Sequence, residues 1–358
     1  MKNRKGVLEA ADNDRLLSRP RLLKCRLFRH IRAQPRRIEF ALRFRWRPIE
    51  TIDSMFSYRH AFHAGNHADV LKHTVLIQIL HYLNQKDTPY MVIDTHAGAG
   101  VYALDSEYAS KNAEYETGIA RLWERKDLPE AMADYVGLVK AMNPNGKLRY
   151  YPGSPYCAEK TMREQDRLRL FEMHPTEGKI LDDNIRKLEA HAAAQGQPAG
   201  RGKRILAQRS DGFLGLKALL PPPSRRGLIL IDPPYEDKND YRKVKEALGD
   251  ALSRFATGTY AVWYPVLNRN ESRLLPEKLK QLPCKEWLDV TLSISGPVPD
   301  GFGLRSSGMF VLNPPWTLEK TLRGVMPYLV DALGADPAAG FTLECGVPSE
   351  PASKSRRG

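Results

Sequence analysis

Cysteine is scarce: Cys25, Cys157, Cys284 and Cys345 stand far apart among 358 residues and form no C-x-x-C pair. Such spacing supports neither a disulfide framework nor a zinc site, and it fits the reduced thiols of a cytoplasmic protein. No run of 18 apolar residues occurs, so no membrane-spanning helix is expected. The basic start is not followed by an apolar core of roughly 7 to 15 residues, which excludes a secretory signal. Six acidic residues among the first 54 argue against an Arg-rich organellar transit peptide.

What the chain has in excess is positive charge, 55 Lys and Arg against 42 Asp and Glu, a net of +13. Hydrophobic residues make up 42%, enough for a folded core and too many for a disordered chain. A basic excess points to a polyanionic partner, nucleic acid first. Its distribution weakens that pointer. Residues 1–54 hold 15 of the basic and 6 of the acidic residues, a net of +9 that leaves only +4 for residues 55–358. The first 54 residues lack apolar periodicity and read as a basic extension, either disordered or upstream of the true start at Met55. The segment from 348 to 358 reads as a disordered tail, and residues 55–347 as the folded domain.

Within that domain, Val70, Leu71, Val75, Leu76, Ile79, Leu80 and Leu83 recur at spacings of three and four, predicting a helix with Asn66 as its N-cap. Short apolar runs follow at 90–94, 168–172, 204–208, 227–232 and 258–264, with helical text between them. This alternation predicts a doubly wound α/β sheet. The last two runs, 287–294 and 307–312, are joined by a connection too short for a crossover helix and should pair antiparallel. The expected fold is therefore a Rossmann-like, seven-stranded, mostly parallel sheet with one antiparallel strand, the architecture of class I S-adenosylmethionine-dependent methyltransferases. Two stretches depart from the alternation. Residues 103–150 read as an inserted small helical subdomain, and the Gly/Ala-rich stretch His191–Lys203 as a flexible surface loop.

The most informative string is Asp232-Pro233-Pro234-Tyr235 at the end of an apolar strand. Alone it also fits a Pro-rich strand exit. Its chemical reading is specific. The Asp232 carboxylate and the Pro233 carbonyl can accept both hydrogens of an exocyclic amine, and Tyr235 offers a face on which a flipped-out base can stack. A second string, Asn313-Pro-Pro-Trp316, follows the strand expected to be antiparallel, so it is assigned to a structural exit away from the ligand edge. Asp94-Thr-His-Ala-Gly-Ala-Gly100 is the candidate cofactor loop. It lacks the third glycine of G-x-G-x-x-G, which disfavours a nicotinamide dinucleotide. Glu172 ends the second strand and suits ribose hydroxyls, while Asp211 follows the third and suits an adenine amine. His60, His63, His67 and His73 invite a metal reading, but only His63-x₃-His67 has ligand spacing and no second ligand pair accompanies it, so no metal is expected.

Tyr58-Arg-His-Ala-Phe-His-Ala-Gly-Asn-His-Ala-Asp-Val-Leu-Lys-His73, together with the 94–100 loop, Tyr151-Pro-Gly-Ser-Pro155 and Asp232-Pro-Pro-Tyr235, resembles the RlmJ family of bacterial 23S rRNA adenine-N6 methyltransferases. The resemblance implies that His73, His96, Ser154, Glu172, Asp211, Gly212 and Asp232 bind S-adenosyl-L-methionine. It implies that Asp232 is catalytic and that Tyr58 contacts the RNA; Lys72, beside His73 in the string, and Tyr235, with its aromatic face, are candidate further substrate residues from the residues themselves. The expected partner is 23S rRNA, with no membrane or metal, and the chain is expected to be monomeric. Two other readings remain open at this point: a DNA adenine-N6 methyltransferase sharing the D-P-P-Y chemistry, and a nonenzymatic RNA-binding protein that has kept the fold.

Overall fold

The computed structural model describes residues 60–106, 113–194, 203–296 and 303–348. The basic extension, Tyr58, most of the 191–203 loop and the tail after residue 348 lie outside the described residues.

Helix α1 (His67–Asn84) begins where expected, with the Asn66 side-chain oxygen accepting from the amides of Ala68 and Asp69. The apolar spacing predicts one buried stripe, yet polar residues such as Asp69, Lys72 and His73 are buried as well. The reason is that α1 is sandwiched between the sheet and other helices, so no face of its first turns meets water. After it come β1 (Met91–Asp94), then β2 (Val101–Ala103) and β3 (Tyr150–Pro152), which pair antiparallel as a separate ribbon. Between β2 and β3 lie a 3-10 turn at Glu114–Thr117, the short α2 (Ala120–Trp123) and α3 (Glu130–Met142). Met132, Tyr135, Val136 and Val139 of α3 pack into the same apolar cluster as Val75 and Leu76 of α1, so the inserted segment extends the main core.

The rest alternates: α4 (Ser154–Thr161), β4 (Arg167–Phe171), α5 (Pro175–Ala194), β5 (Ile205–Gln208), α6 (Gly212–Leu219), β6 (Gly227–Ile231), α7 (Asn239–Arg254), β7 (Thr259–Pro265), α8 (Asn270–Leu279), β8 (Trp287–Ser293), β9 (Ser306–Leu312), α9 (Leu318–Leu333) and β10 (Gly340–Gly346). The start of the expected 191–203 loop, through Ala194, is the last turn of α5.

The main sheet runs β10-β8-β9-β7-β6-β1-β4-β5. The five strands from β5 to β7 are parallel, β9 lies antiparallel between β7 and β8, and β10 pairs antiparallel with β8. The mostly parallel α/β sheet matches the sequence reading, with one addition: β10 is an eighth strand and a second one running against the majority. It escapes the apolar-run criterion because it is an edge strand with Phe341, Thr342, Glu344 and Cys345 exposed.

Each central strand feeds two cores. Leu228 and Leu230 of β6 join the cluster under α1, whereas Ile229 and Ile231 join the one under α6, α7 and α8. Full burial on both faces explains the unbroken apolar text, and each such Leu or Ile contributes about 1.5–3 kcal/mol. Chain order reverses direction between β1 and β6, and at the carboxyl ends of these strands such sheets hold their ligands.

Candidate active site

The parallel register carries four acids to one edge. Asp94 ends β1, Glu172 follows β4, Asp211 lies beyond β5 and Asp232 follows β6. A cavity of about 300 Å³ opens there, lined by Lys72, His73, His96, Ser154, Glu172, Asp211, Gly212 and Asp232, residues that sequence reasoning had grouped across 160 positions.

Asp232 is held by α1. Its Oδ2 lies 2.6 Å from Lys72 Nζ, which also reaches Asp69 Oδ1 at 2.9 Å. Burial works against the Lys72 charge, but Asp232 and Asp69 outweigh it and its pKa is raised. Asp69, fully buried, is depressed in spite of that burial by His60, 2.9 Å away, and by Lys72. Lys72, expected as a substrate residue, lines the cavity with its ammonium already matched by two carboxylates, and it supports Asp232. Asp232 Oδ1 has no partner among the described residues and remains for a ligand.

Tyr235 requires a correction. It is 1% exposed and does not line the cavity. Its φ of +53° after the two prolines turns the ring inward, against Tyr241 and Trp263, and its hydroxyl donates to the Trp263 carbonyl at 2.9 Å. Pro233 and Pro234 line the cavity instead.

Glu172 is fixed through backbone donors, Oε2 by the Gly98 amide at 2.8 Å and Oε1 by the His174 amide at 2.7 Å. Burial raises its pKa and these amides oppose the rise. Asp211 caps α6, its Oδ1 accepting from Phe213 and Leu214, while Oδ2 has no partner among the described residues. Gly212 is required by close approach: a Cβ there would sit 2.2 Å from the Thr95 carbonyl oxygen. His96 packs edge-on against Phe213 at 5.1 Å between centroids, and burial lowers its pKa to about 4, leaving it neutral.

Ser154 donates to Asp94 Oδ2 at 2.7 Å. Asp94 is buried behind the cavity, and burial pushes its pKa up to about 6. The histidines of the N-terminal string diverge to separate partners. His60 engages Asp69, His63 engages Glu114 and His73 engages Tyr151. Among the described residues no group of three His, Cys, Asp or Glu side chains could hold a metal ion.

Asn313 serves structure, as expected of the second string. Its side chain donates to the carbonyls of Ala256 and Gly258 and accepts from the Lys285 amide, and Trp316 is exposed and does not line the cavity. Sequence reasoning missed Asp69, whose i, i+3 spacing from Lys72 on one helix face was the available signal.

A family model described as "Ribosomal RNA large subunit methyltransferase D, RlmJ" matches residues 87–345. The chain belongs to the RlmJ family. Among RlmJ relatives, Ribosomal RNA large subunit methyltransferase J of Escherichia coli is 47% identical over 294 residues, 82% of this chain and all of that protein. Its namesake from Haemophilus influenzae is 44% identical over 295 residues, with the same shares covered. A crystal structure of a Legionella pneumophila protein is also similar, at 36% identity and a TM-score of 0.69, covering 79% of this chain and 98% of that one. No described helix is long and apolar enough to cross a membrane.

Proposed function

We propose that this RlmJ-family chain transfers a methyl group from S-adenosyl-L-methionine to N6 of a single adenine in 23S rRNA, in the cytoplasm. The observation that carries the reading is the Oδ1 of Asp232, unpartnered among the described residues, beside Pro233 on the wall of the cavity. The cavity's residues suit the cofactor. His73 Nε2 is a buried polar atom without a partner among the described residues, Glu172 is preset as an acceptor for ribose hydroxyls, and Gly212 permits close approach. His73, His96, Ser154, Glu172, Asp211 and Gly212 would hold it, and when bound it supplies an electrophilic methyl group.

Asp232 Oδ1 and the Pro233 carbonyl accept the two N6 hydrogens, which aims the nitrogen lone pair away from both acceptors. Lys72 holds the other carboxylate oxygen, so the acceptor cannot swing. The residues thus act by orientation and fixed charge, which supply most of the rate in such a displacement. The proton leaves to solvent or transiently to Asp232.

Asp232→Ala tests the reading. Methyl incorporation into 23S rRNA is expected to fall at least a hundredfold in protein that remains folded, and near wild-type turnover would remove Asp232 from the site. Duplex DNA assayed in parallel is expected to accept no methyl groups; preferential DNA methylation would favour the DNA enzyme. No titratable binding of S-adenosylmethionine at millimolar concentration would favour a nonenzymatic RNA-binding protein.

A further inference from the structure

The turn that presents Asp232 and Pro233 ends in a residue held in an unfavourable conformation, Tyr235 with its φ of +53°. A bulky side chain is disfavoured in that region and persists only where the surroundings over-determine it. Two kinds of contact do so here. The ring is wedged against Tyr241 and Trp263, and its hydroxyl donates to the Trp263 carbonyl at 2.9 Å. The peptide is held separately: the Tyr235 carbonyl accepts from Arg269 Nη2 at 2.9 Å.

Arg269 is itself fixed, by the connection between β7 and α8. The Leu267 amide donates to Ser272 Oγ at 2.9 Å, Ser272 Oγ donates to the Pro265 carbonyl at 2.6 Å, and the Arg269 amide donates to the Leu267 carbonyl at 2.8 Å. Arg269 is thereby delivered in an extended conformation at the start of α8. Its guanidinium lies over the Tyr241 ring, 5.2 Å from the centroid, where the ring face attracts a cation. No carboxylate among the described residues pairs with it, so this half-buried charge is committed to a backbone carbonyl and a ring face.

We infer that Arg269 is a positioning residue for methyl transfer: by holding the Tyr235 carbonyl it fixes the direction of the Pro233 carbonyl, the second acceptor of the adenine amine. The inference rests on the reading of Asp232 and Pro233 as the two acceptors. Proline stiffness makes the link. The ring of Pro234 locks its φ, so the peptide plane that carries the Pro233 carbonyl moves as one body with that ring, and the ring is anchored downstream through the Tyr235 peptide. The two acceptors are then set from opposite ends of the turn, Asp232 by Lys72 of α1 and Pro233 by Arg269 beyond β7. Such precision matters to rate, because a misplacement of about 1 Å costs roughly a hundredfold.

The test separates kcat from KM in full-length protein. Arg269→Met keeps an apolar stem on Tyr241 and removes the donors. Its kcat at saturating 23S rRNA and S-adenosylmethionine is expected to fall by roughly tenfold or more. The KM for RNA and the affinity for S-adenosylhomocysteine should stay near their wild-type values, because Arg269 does not line the cavity. Arg269→Lys still offers an N–H to the carbonyl and is expected to recover part of the loss. Arg269→Gln, too short to reach the carbonyl in the same way, carries the same expectation as Arg269→Met and replaces it if that variant does not fold. Wild-type kcat in a folded variant without the donors overturns the inference, and so does a raised KM for RNA at unchanged kcat, which would make Arg269 a phosphate contact. Near wild-type turnover in Asp232→Ala, assayed in parallel, overturns the acceptor pair and the inference with it, whereas wild-type kcat confined to the Arg269 variants overturns the inference alone.

Discussion

Lys72 Nζ and Asp232 Oδ2 are 2.6 Å apart, although 160 residues separate them in the chain. The pair joins the first buried helix to the strand end that carries the chemistry, and Asp69 completes it from one turn away. Removing one member of a buried ion pair leaves the others uncompensated, at about 3–5 kcal/mol. Lys72→Met is therefore expected to lower unfolding free energy by about that amount and to reduce methyl transfer by roughly a hundredfold. Lys72→Arg should recover little, because a planar guanidinium does not fit a site built around a point charge. Urea unfolding together with single-turnover transfer checks both, and wild-type turnover in Lys72→Met would dissociate the pair from catalysis.

Tyr235 gives a prediction of opposite sense. Its ring is in the core and its hydroxyl is bonded to Trp263, so Tyr235→Phe should cost about 1 kcal/mol and keep the transfer rate. Tyr235→Ala should cost about 3–5 kcal/mol through the cavity it leaves. A base-stacking role would reverse the emphasis, with a rise in KM for RNA in Tyr235→Ala and little loss of stability. Denaturant midpoints compared with RNA KM values separate the two.

Sequence patterns that depend on neighbours along the chain were legible here, and those that depend on neighbours in space were not. The strands declare themselves because burial on both faces demands unbroken apolar text, as in Gly227–Ile231. Asp94, Glu172, Asp211 and Asp232 fall together because parallel strands carry their carboxyl ends to one edge. β10 stayed hidden because one exposed edge relaxes the demand for apolar residues. Tyr235 was misread because nothing in D-P-P-Y announces the positive φ that turns its ring inward. The hydrogen bonds from Tyr135 of α3 to Tyr151 of β3 and from Tyr151 to His73 of α1 are a juxtaposition that only the folded chain creates.

Gly212 and Gly137 make a matched pair of tests. A Cβ on Gly212 would meet the Thr95 carbonyl at 2.2 Å, so Gly212→Ala must push α6 away from the cofactor loop. Affinity for S-adenosylhomocysteine is expected to drop more than tenfold, with a lower melting temperature. A Cβ on Gly137, exposed on α3, would meet nothing within 4 Å. Gly137→Ala should raise stability by about 0.5–1 kcal/mol through helix propensity and leave affinity unchanged. Equal behaviour of the two variants would refute the close-approach argument.

Asp94 carries a pH signature. Burial moves its pKa from the ordinary 3.8 up to about 6. The unfolded chain therefore releases this proton near pH 4, while the folded chain keeps it until about pH 6. Between those values the folded state binds more protons, so stability falls as pH rises through the window, by up to about 3 kcal/mol, and is level above it. Asn has no charge to bury, so Asp94→Asn should gain on the wild type as pH rises from 4 to 7. The gain has a functional cost. Asp94 accepts from both Ser154 Oγ and the His96 amide, and an Asn amide has only one oxygen to offer these two donors. The variant is thus expected to be relatively more stable at pH 7 and to bind S-adenosylmethionine less tightly. Melting curves of both proteins across pH 4 to 8 read the first effect, and a stability difference that stays constant over that range would mean that Asp94 is not the group that titrates.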